Sequence, residues 1–166
     1  VRINSADTPW FEQDLQLCKS SGIFGVLLPK AESPEVIEAV SKTIGSEKFL
    51  VPLIETARGI DKAREMAATG KIQRFGFGSI DFQVDLRIDG EGEELLFFRS
   101  QIVLVSRLEN LLPPVDGVTV VFDDEEVIRR ETSRGRRLGF GGKLCIHPKQ
   151  VPVVNGCYRP SEALID

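Results

Sequence analysis

Two acidic residues stand where neighbouring strands of a sheet could bring them together. Glu55 directly follows an apolar run at 49–54, and Asp81 directly follows a strand-like run at 72–80. Carboxylates at the ends of neighbouring parallel strands form an oxygen-rich site of the kind that Mg²⁺ occupies. A divalent ion there could stabilise an oxyanion or enolate. The competing interpretation is that each acid caps the next helix or pairs with an arginine.

Three further charged residues, Arg2, Lys30 and Glu32, are expected on the same face. Arg2 lies inside the strand-like run 1–4, where its guanidinium could bind a substrate carboxylate or carbonyl, unless it is an exposed edge-strand arginine. Lys30 and Glu32 follow the apolar run 23–29. Lys30 could contact a phosphate or carboxylate and Glu32 could orient a metal ligand, whereas the alternative is a solvated loop pair. A Schiff-base role for Lys30 is disfavoured, because a metal would already supply the electron sink.

Other polar residues are interpreted as structural. His147, the only histidine, follows the last predicted strand and could act as an acid or base, but a structural hydrogen-bonding role is favoured. Asp124 is predicted to be a helix N-cap. A basic run on the following helix is predicted to be a solvated face rather than a phosphate site, and it comprises Arg129, Arg130, Arg134, Arg136 and Arg137.

Composition favours one globular domain covering residues 1–166, with a net charge of -4 and 42% hydrophobic residues. No run approaches the roughly 18 apolar residues of a membrane span, and no signal-peptide pattern opens the chain. The mild acidity argues against a nucleic-acid partner. Three widely spaced cysteines, Cys18, Cys145 and Cys157, predict neither a disulfide framework nor a zinc site, so a cytoplasmic location is expected.

Apolar runs and helical periodicity alternate along the chain. Strands are predicted at 1–4, 23–29, 49–54, 72–80, 118–122 and 143–148. Helices are predicted from Thr8-Pro9 to Gly22, from Ser33-Pro34 to Gly45, at 58–69, 94–111 and 124–138, and as a short turn near 151–157. The segment 84–93 is interpreted as a loop.

This alternation predicts an α/β fold with parallel strands and right-handed crossovers. A TIM (β/α)8-type barrel is favoured over a doubly wound sheet, because candidate ligands end several strands and no dinucleotide-binding glycine motif follows the first strand. Six strands do not close a barrel of eight, and the chain begins with Val1 inside a strand-like run. The first two β/α units are therefore expected to be missing, which would leave open sheet edges for pairing with another chain.

An ordered set of motifs resembles the citrate lyase β-subunit group of the HpcH/HpaI aldolase superfamily over nearly the whole chain. The motifs are Val-Arg-Ile-Asn at 1–4, Leu-Leu-Pro-Lys-Ala-Glu at 27–32, Leu-Ile-Glu-Thr-Ala-Arg-Gly at 53–59, Phe-Gly-Ser-Ile-Asp-Phe at 77–82, Asp-Gly-Val-Thr at 116–119 and Leu-Gly-Phe-Gly-Gly-Lys-Leu-Cys-Ile-His-Pro-Lys-Gln-Val at 138–151.

The resemblance implies a TIM-type barrel that uses Mg²⁺, or Mn²⁺, to cleave or form a carbon–carbon bond in a 3-hydroxyacyl-CoA such as citryl-, malyl- or citramalyl-CoA. It implies that Glu55 and Asp81 bind the metal, that Arg2 contacts the substrate and that Glu32 supports the site. A homo-oligomer, trimeric or hexameric, and an association with other citrate lyase subunits are further implications.

The chain also departs from this family's pattern. An Arg-Ser pair and an Asp-Leu-Glu-Asp motif, which precede Val-Arg-Ile-Asn in the family, are absent, and the C-terminal extension is short, ending at Asp166. Ile80 stands where family members commonly have an acidic or small polar residue. Two alternatives therefore stay open: a class II pyruvate-dependent aldolase that needs no CoA, and a truncated, non-catalytic homologue or interaction module.

Overall fold

The structure, a computed structural model, describes residues 1–160 and contains a parallel five-stranded sheet with helices between its strands. The strands are β1 (Gly25–Leu28), β2 (Phe49–Ile54), β3 (Gly76–Phe77), β4 (Val115–Asp116) and β5 (Gly142–Lys143). The helices are α1 (Phe11–Leu17), α2 (Pro34–Ile44), α3 (Ala57–Asp61), α4 (Ala63–Ala68), α5 (Ser79–Leu86), α6 (Leu96–Leu108), α7 (Glu125–Leu138) and α8 (Gln150–Tyr158), with a 3-10 turn at Glu93–Leu95 before α6. The end of the predicted domain 1–166, including Asp166, lies outside the described residues.

Each strand pairs with the next one in the chain, so the sheet order is β1-β2-β3-β4-β5. Val26 lies opposite Leu50 in the first pair, and the segment before α1 extends the sheet through a parallel bridge from Arg2 to Leu27. A sequential parallel order without reversal is typical of a barrel, whereas a doubly wound sheet reverses its strand order. The predicted parallel α/β arrangement is therefore confirmed.

Local sequence determines where several helices begin. Ser33 caps α2 by accepting a hydrogen bond from the Val36 N–H at 3.3 Å, and Pro34 occupies the first helical position. Asp124 caps α7 by accepting from the N–H groups of Glu126 and Val127, as predicted. Both caps could be predicted because they depend on residues within one helical turn.

Three of the predicted helices differ from the structure in their extent. The helix expected to begin at Thr8-Pro9 begins at Phe11, because the Thr8 hydroxyl donates to the Ser5 carbonyl at 2.8 Å and closes a turn instead. The helix predicted at 58–69 is divided at Lys62 into α3 and α4. The helix predicted at 94–111 begins with the 3-10 turn and ends at Leu108.

The most instructive error is the strand predicted at 118–122, which the structure shows as an irregular segment after β4. The Gln150 side-chain amide donates to the carbonyl groups of Thr119 and Val121 at 2.7 and 2.9 Å. These bonds satisfy the backbone groups that a neighbouring strand would otherwise pair. A buried tertiary partner has therefore overridden the β-propensity of this segment.

The core lies between the sheet and the surrounding helices. Ile37, Val40 and Ile44 form the buried stripe of α2 at helical spacing, and Val26 and Leu50 are buried on the adjacent strands. Full burial of each such side chain contributes about 1.5–3 kcal/mol relative to leaving it exposed. Among the described residues, no helix combines the length and apolar character needed to cross a bilayer.

Candidate active site

The predicted site residues meet at the carboxyl ends of β1, β2 and β3. Three adjoining cavities open there, and Glu55 and Asp81 line all three. We call them the charged cavity, of about 570 Å³, the middle cavity, of about 410 Å³, and the apolar cavity, of about 320 Å³. Arg2 lines the middle and apolar cavities, whereas Lys30 lines the charged and middle cavities. The structure thus brings together the residues that the sequence singled out, while their roles stay predictions.

Glu55 directly follows β2 and is buried, with 3% of its surface exposed. Its Oε2 accepts a hydrogen bond of 2.8 Å from the backbone N–H of Lys30, whose φ of 45° places it in the left-handed region. Burial raises the pKa of the Glu55 carboxyl, and the charge of Asp81 raises it further, against the opposing effects of the Lys30 N–H and the Arg2 and Lys30 charges. A cation bound beside this carboxylate would offset part of the cost of its burial.

Asp81 does not end a strand, as the sequence suggested, but lies in the first turn of α5. Strand β3 has only two residues, because Gly78 already forms the N-cap of that helix. The Gly78 N–H donates to the Ile54 carbonyl at 3.0 Å, which joins the start of α5 to the end of β2. The exposed Asp81 therefore still reaches the cavities that Glu55 lines.

Gly78 also packs directly on the Glu55 side chain. A Cβ atom at this position would lie 2.3 Å from Glu55 Cγ and 2.8 Å from Oε1. The φ of Gly78 is -88°, so the close approach and not the backbone conformation requires glycine here. The Glu55 carboxylate is thus held between the Lys30 N–H and the Gly78 backbone.

Glu32 lines the charged cavity and is tied to the residue after Glu55. Its Oε1 accepts a hydrogen bond of 2.7 Å from the Thr56 hydroxyl, and the same hydroxyl caps α3 by accepting from the Gly59 N–H. Thr56, and not Glu55, is therefore the N-cap of α3, so the competing interpretation of Glu55 as a helix cap is wrong. Glu32 is thus linked through Thr56 to the segment that carries Glu55.

The donor set fits a hard divalent cation. Within residues 1–160, no cluster of three or more His, Cys, Asp or Glu side chains is arranged to hold a metal ion. Glu55 and Asp81 would therefore supply two carboxylates, and water or substrate oxygens would complete the coordination, which is how Mg²⁺ is commonly bound. The buried Glu55 carboxylate, which lines the same three cavities as Asp81, is the observation that favours a cation at this position.

The remaining candidates make contacts away from these carboxylates. The His147 ring stacks on Phe122 with centroids 4.9 Å apart, and its Nδ1 accepts from the Lys149 N–H, which supports a structural role. On α7, Arg134 donates to the Glu91 carbonyl and Arg136 to the Cys157 carbonyl. These two arginines therefore brace neighbouring segments.

Several polar residues near the site were missed from the sequence. Arg58 and Asp85 line the charged cavity, and Asp85 accepts a 2.8 Å hydrogen bond from the Ala57 N–H at the start of α3. Arg99 of α6 forms a buried ion pair of 2.9 Å with Asp116 at the end of β4. An arginine on the apolar face of an amphipathic helix was the available signal for this pair.

Comparison with known proteins gives a consistent result. The family model described as HpcH/HpaI aldolase/citrate lyase matches residues 1–148. A citrate lyase subunit beta-like protein of Deinococcus radiodurans is 34% identical over 169 residues, which cover 98% of this chain and 58% of that protein. A (3S)-malyl-CoA thioesterase of Cereibacter sphaeroides is 32% identical over 167 residues, covering 100% of this chain and 58% of that protein. The chain thus spans 58% of the length of both relatives.

Solved structures agree with the fold. RipC from Yersinia pestis superposes with a TM-score of 0.93 at 27% identity, covering 99% of this chain and 78% of that one. Protein CitE from Mycobacterium tuberculosis, in complex with magnesium, acetoacetate and coenzyme A, gives a TM-score of 0.85 at 29% identity, covering 98% of this chain and 61% of that one. The prediction of a TIM-type fold is confirmed, and the parallel sheet forms part of such a barrel.

Proposed function

Since the chain belongs to the HpcH/HpaI aldolase/citrate lyase family, we propose that it acts in Mg²⁺-dependent cleavage, or formation, of a carbon–carbon bond in a 3-hydroxyacyl-CoA such as citryl-, malyl- or citramalyl-CoA. The observation that carries the proposal is the convergence of Glu55, Asp81 and Arg2 on shared cavities at the carboxyl ends of the strands. The magnesium and coenzyme A bound to the similar Mycobacterium tuberculosis protein support it.

In this proposal, Glu55 and Asp81 bind Mg²⁺, which when present supplies Lewis-acid stabilisation of negative charge on substrate oxygens. The Lys30 N–H and Glu32, through Thr56, hold the Glu55 segment in position. Positioning of this kind affects the rate because the productive geometry must already exist when the substrate binds.

Arg2 would bind the substrate carboxylate through paired hydrogen bonds. Its charge would also stabilise the substrate as the hydroxyl proton leaves and as the bond between the hydroxyl-bearing carbon and the neighbouring carbon of the acyl-CoA part breaks. The electron pair of that bond passes to the acyl-CoA fragment as an enolate, and protonation of the enolate then yields acetyl-CoA. Interactions that strengthen as this charge develops accelerate the reaction. Lys30 is proposed to contact a phosphate or carboxylate of the CoA ester from the charged cavity.

A second candidate is hydrolysis of the thioester, favoured by the relative named as a (3S)-malyl-CoA thioesterase. The two reactions give different products, because hydrolysis releases free CoA with its thiol while cleavage of the carbon–carbon bond releases acetyl-CoA. One incubation therefore separates them.

The test is chromatographic measurement of acetyl-CoA and free CoA after incubation with citryl-, malyl- and citramalyl-CoA, with Mg²⁺ or with EDTA. The proposal predicts Mg²⁺-dependent acetyl-CoA that is lost in Asp81→Asn and retained in Asp61→Asn, an exposed acid on α3. Free CoA alone would favour the thioesterase. In a parallel incubation with a hydroxy-keto acid that carries no CoA, cleavage of this acid, together with cleavage of none of the CoA esters, would instead support the class II aldolase.

We further propose that this chain associates with other citrate lyase subunits. We also propose that copies of this chain form a trimer or a hexamer. Light scattering combined with size-exclusion chromatography would test the homo-oligomer, and a monomer at high concentration would contradict it.

A further inference from the structure

Charged and apolar side chains are segregated across the face that carries the candidate site. The segments that follow β1 and β2 supply the charged cavity with Lys30, Glu32 and Arg58. The segments that follow β3, β4 and β5 supply the apolar cavity with Ile80, Val118, Leu144 and Ile146. The two cavities share Glu55 and Asp81, so a substrate held by these acids would meet different surfaces on its two sides.

Ile80 is the apolar residue next to the metal-binding candidate. It lies in the first turn of α5, immediately before Asp81, and is 38% exposed. Ile146, which lines the same cavity, is 55% exposed. Exposed branched aliphatic side chains that converge in a cavity indicate a surface that an apolar group of a ligand can cover.

The charge inventory of the apolar cavity limits what can bind there. Among the described residues that line it, the charged ones are Arg2, Glu55 and Asp81. We suppose that Arg2 binds the carboxylate next to the hydroxyl-bearing carbon. A second, carboxylate-bearing arm on that carbon would then lie against Ile80, without a second basic side chain to pair with. Burying a carboxylate that has no basic side chain to pair with is unfavourable.

We infer that Ile80 is a specificity-determining residue that selects substrates whose hydroxyl-bearing carbon carries hydrogen or a short alkyl group in place of a second carboxylate arm. The inference rests on the proposed function and narrows its substrate class. Malyl- and citramalyl-type esters fit this class, whereas a citryl-type ester does not. The 2-oxo acid released on cleavage would then be glyoxylate, pyruvate or a short homologue.

Binding of the 2-oxo acids tests this selection without requiring turnover. Calorimetric titration with Mg²⁺ present would compare pyruvate and 2-oxobutyrate with oxaloacetate, which shares their 2-oxo carboxylate but adds a carboxylate arm. We expect pyruvate to bind at least about tenfold more tightly than oxaloacetate, since one group in an apolar pocket discriminates by about 10–200-fold. Ile80→Asn should bring the ratio of the two affinities towards one.

Val84→Asn is the matched control, because Val84 is an exposed aliphatic residue of the same helix that lines the charged cavity. It should leave the ratio of the two affinities unchanged. Oxaloacetate binding as tightly as pyruvate, or a ratio that Ile80→Asn does not move, would overturn the inference and leave the proposed function intact. Failure of every 2-oxo acid to bind with Mg²⁺ would overturn both.

Discussion

Replacing Gly78 by alanine should damage the candidate metal site by displacing a carboxylate. The new Cβ would lie 2.3 Å from Glu55 Cγ, where ordinary contact begins at 3.4 Å, so the side chain must retreat by about 1 Å. Glu55 is buried and accepts a 2.8 Å bond from the Lys30 N–H, so the movement also weakens that bond. Displacing a ligand through its surroundings typically lowers metal affinity about 10–100-fold, and a misplacement of about 1 Å can cost about 100-fold in rate.

Calorimetric titration with Mg²⁺ and urea unfolding together test this expectation. Gly78→Ala should also lose about 1–3 kcal/mol of unfolding free energy through overpacking. Gly76→Ala, whose Cβ would meet the Leu53 side chain at 2.5 Å, should lose stability while keeping its Mg²⁺ affinity. Gly156→Ala, on α8 with no atom within 4 Å, should change neither binding nor activity. A folded Gly78→Ala variant that binds Mg²⁺ like the wild type would refute the reasoning.

Three further substitutions have defined outcomes. Gly117→Ala would place a Cβ 2.2 Å from Ser79 Oγ and so displace the start of α5, which carries Asp81. The Mg²⁺ affinity measured by calorimetry should therefore fall by about tenfold, and an unchanged affinity would show that α5 is not displaced. Burial raises the pKa of Glu55 above its ordinary 4.5, so the folded metal-free protein binds the Glu55 proton more tightly than the unfolded chain does. The free energy of unfolding therefore falls as the pH rises from 4.5 through the pKa of the folded state. Glu55→Gln should therefore melt at a higher temperature than the wild type at neutral pH without metal, and an equal or lower melting temperature would contradict this. Asp116→Ala leaves Arg99 buried without its acidic partner, so the free energy of unfolding measured in urea should fall by about 3–5 kcal/mol. A fall of less than about 1 kcal/mol would show that Arg99 does not depend on Asp116 for its charge pairing.

The convergence of Glu55 and Asp81 could be predicted because it follows from topology. Parallel strands present their carboxyl ends at one edge, so acids that follow neighbouring strands meet there whatever the details of the loops. That Asp81 lies on a helix could not be predicted, since it depends on the hydrogen bond from the Gly78 N–H to the Ile54 carbonyl, a contact between distant residues.

Tertiary contacts account for the other differences between prediction and structure. The β-branched run at 118–122 is irregular because Gln150, about thirty residues later, occupies its carbonyl groups. Arg58 and Asp85 of the charged cavity lie on helices, where their polar character is ordinary and gives no signal in the sequence. The caps at Ser33 and Asp124 were predictable because their partners lie within a few residues.

Mn²⁺ binding followed by electron paramagnetic resonance, with Mg²⁺ as the competitor, would show whether Glu55 and Asp81 hold the metal. We expect the wild type to bind Mn²⁺ and to release it to Mg²⁺, and we expect Glu55→Gln and Asp81→Asn each to weaken binding by more than about 100-fold. Asp85→Asn, a neighbouring acid of the charged cavity on the same helix as Asp81, should keep the wild-type affinity. Equal affinity in all four proteins would contradict the claim that Glu55 and Asp81 hold the metal.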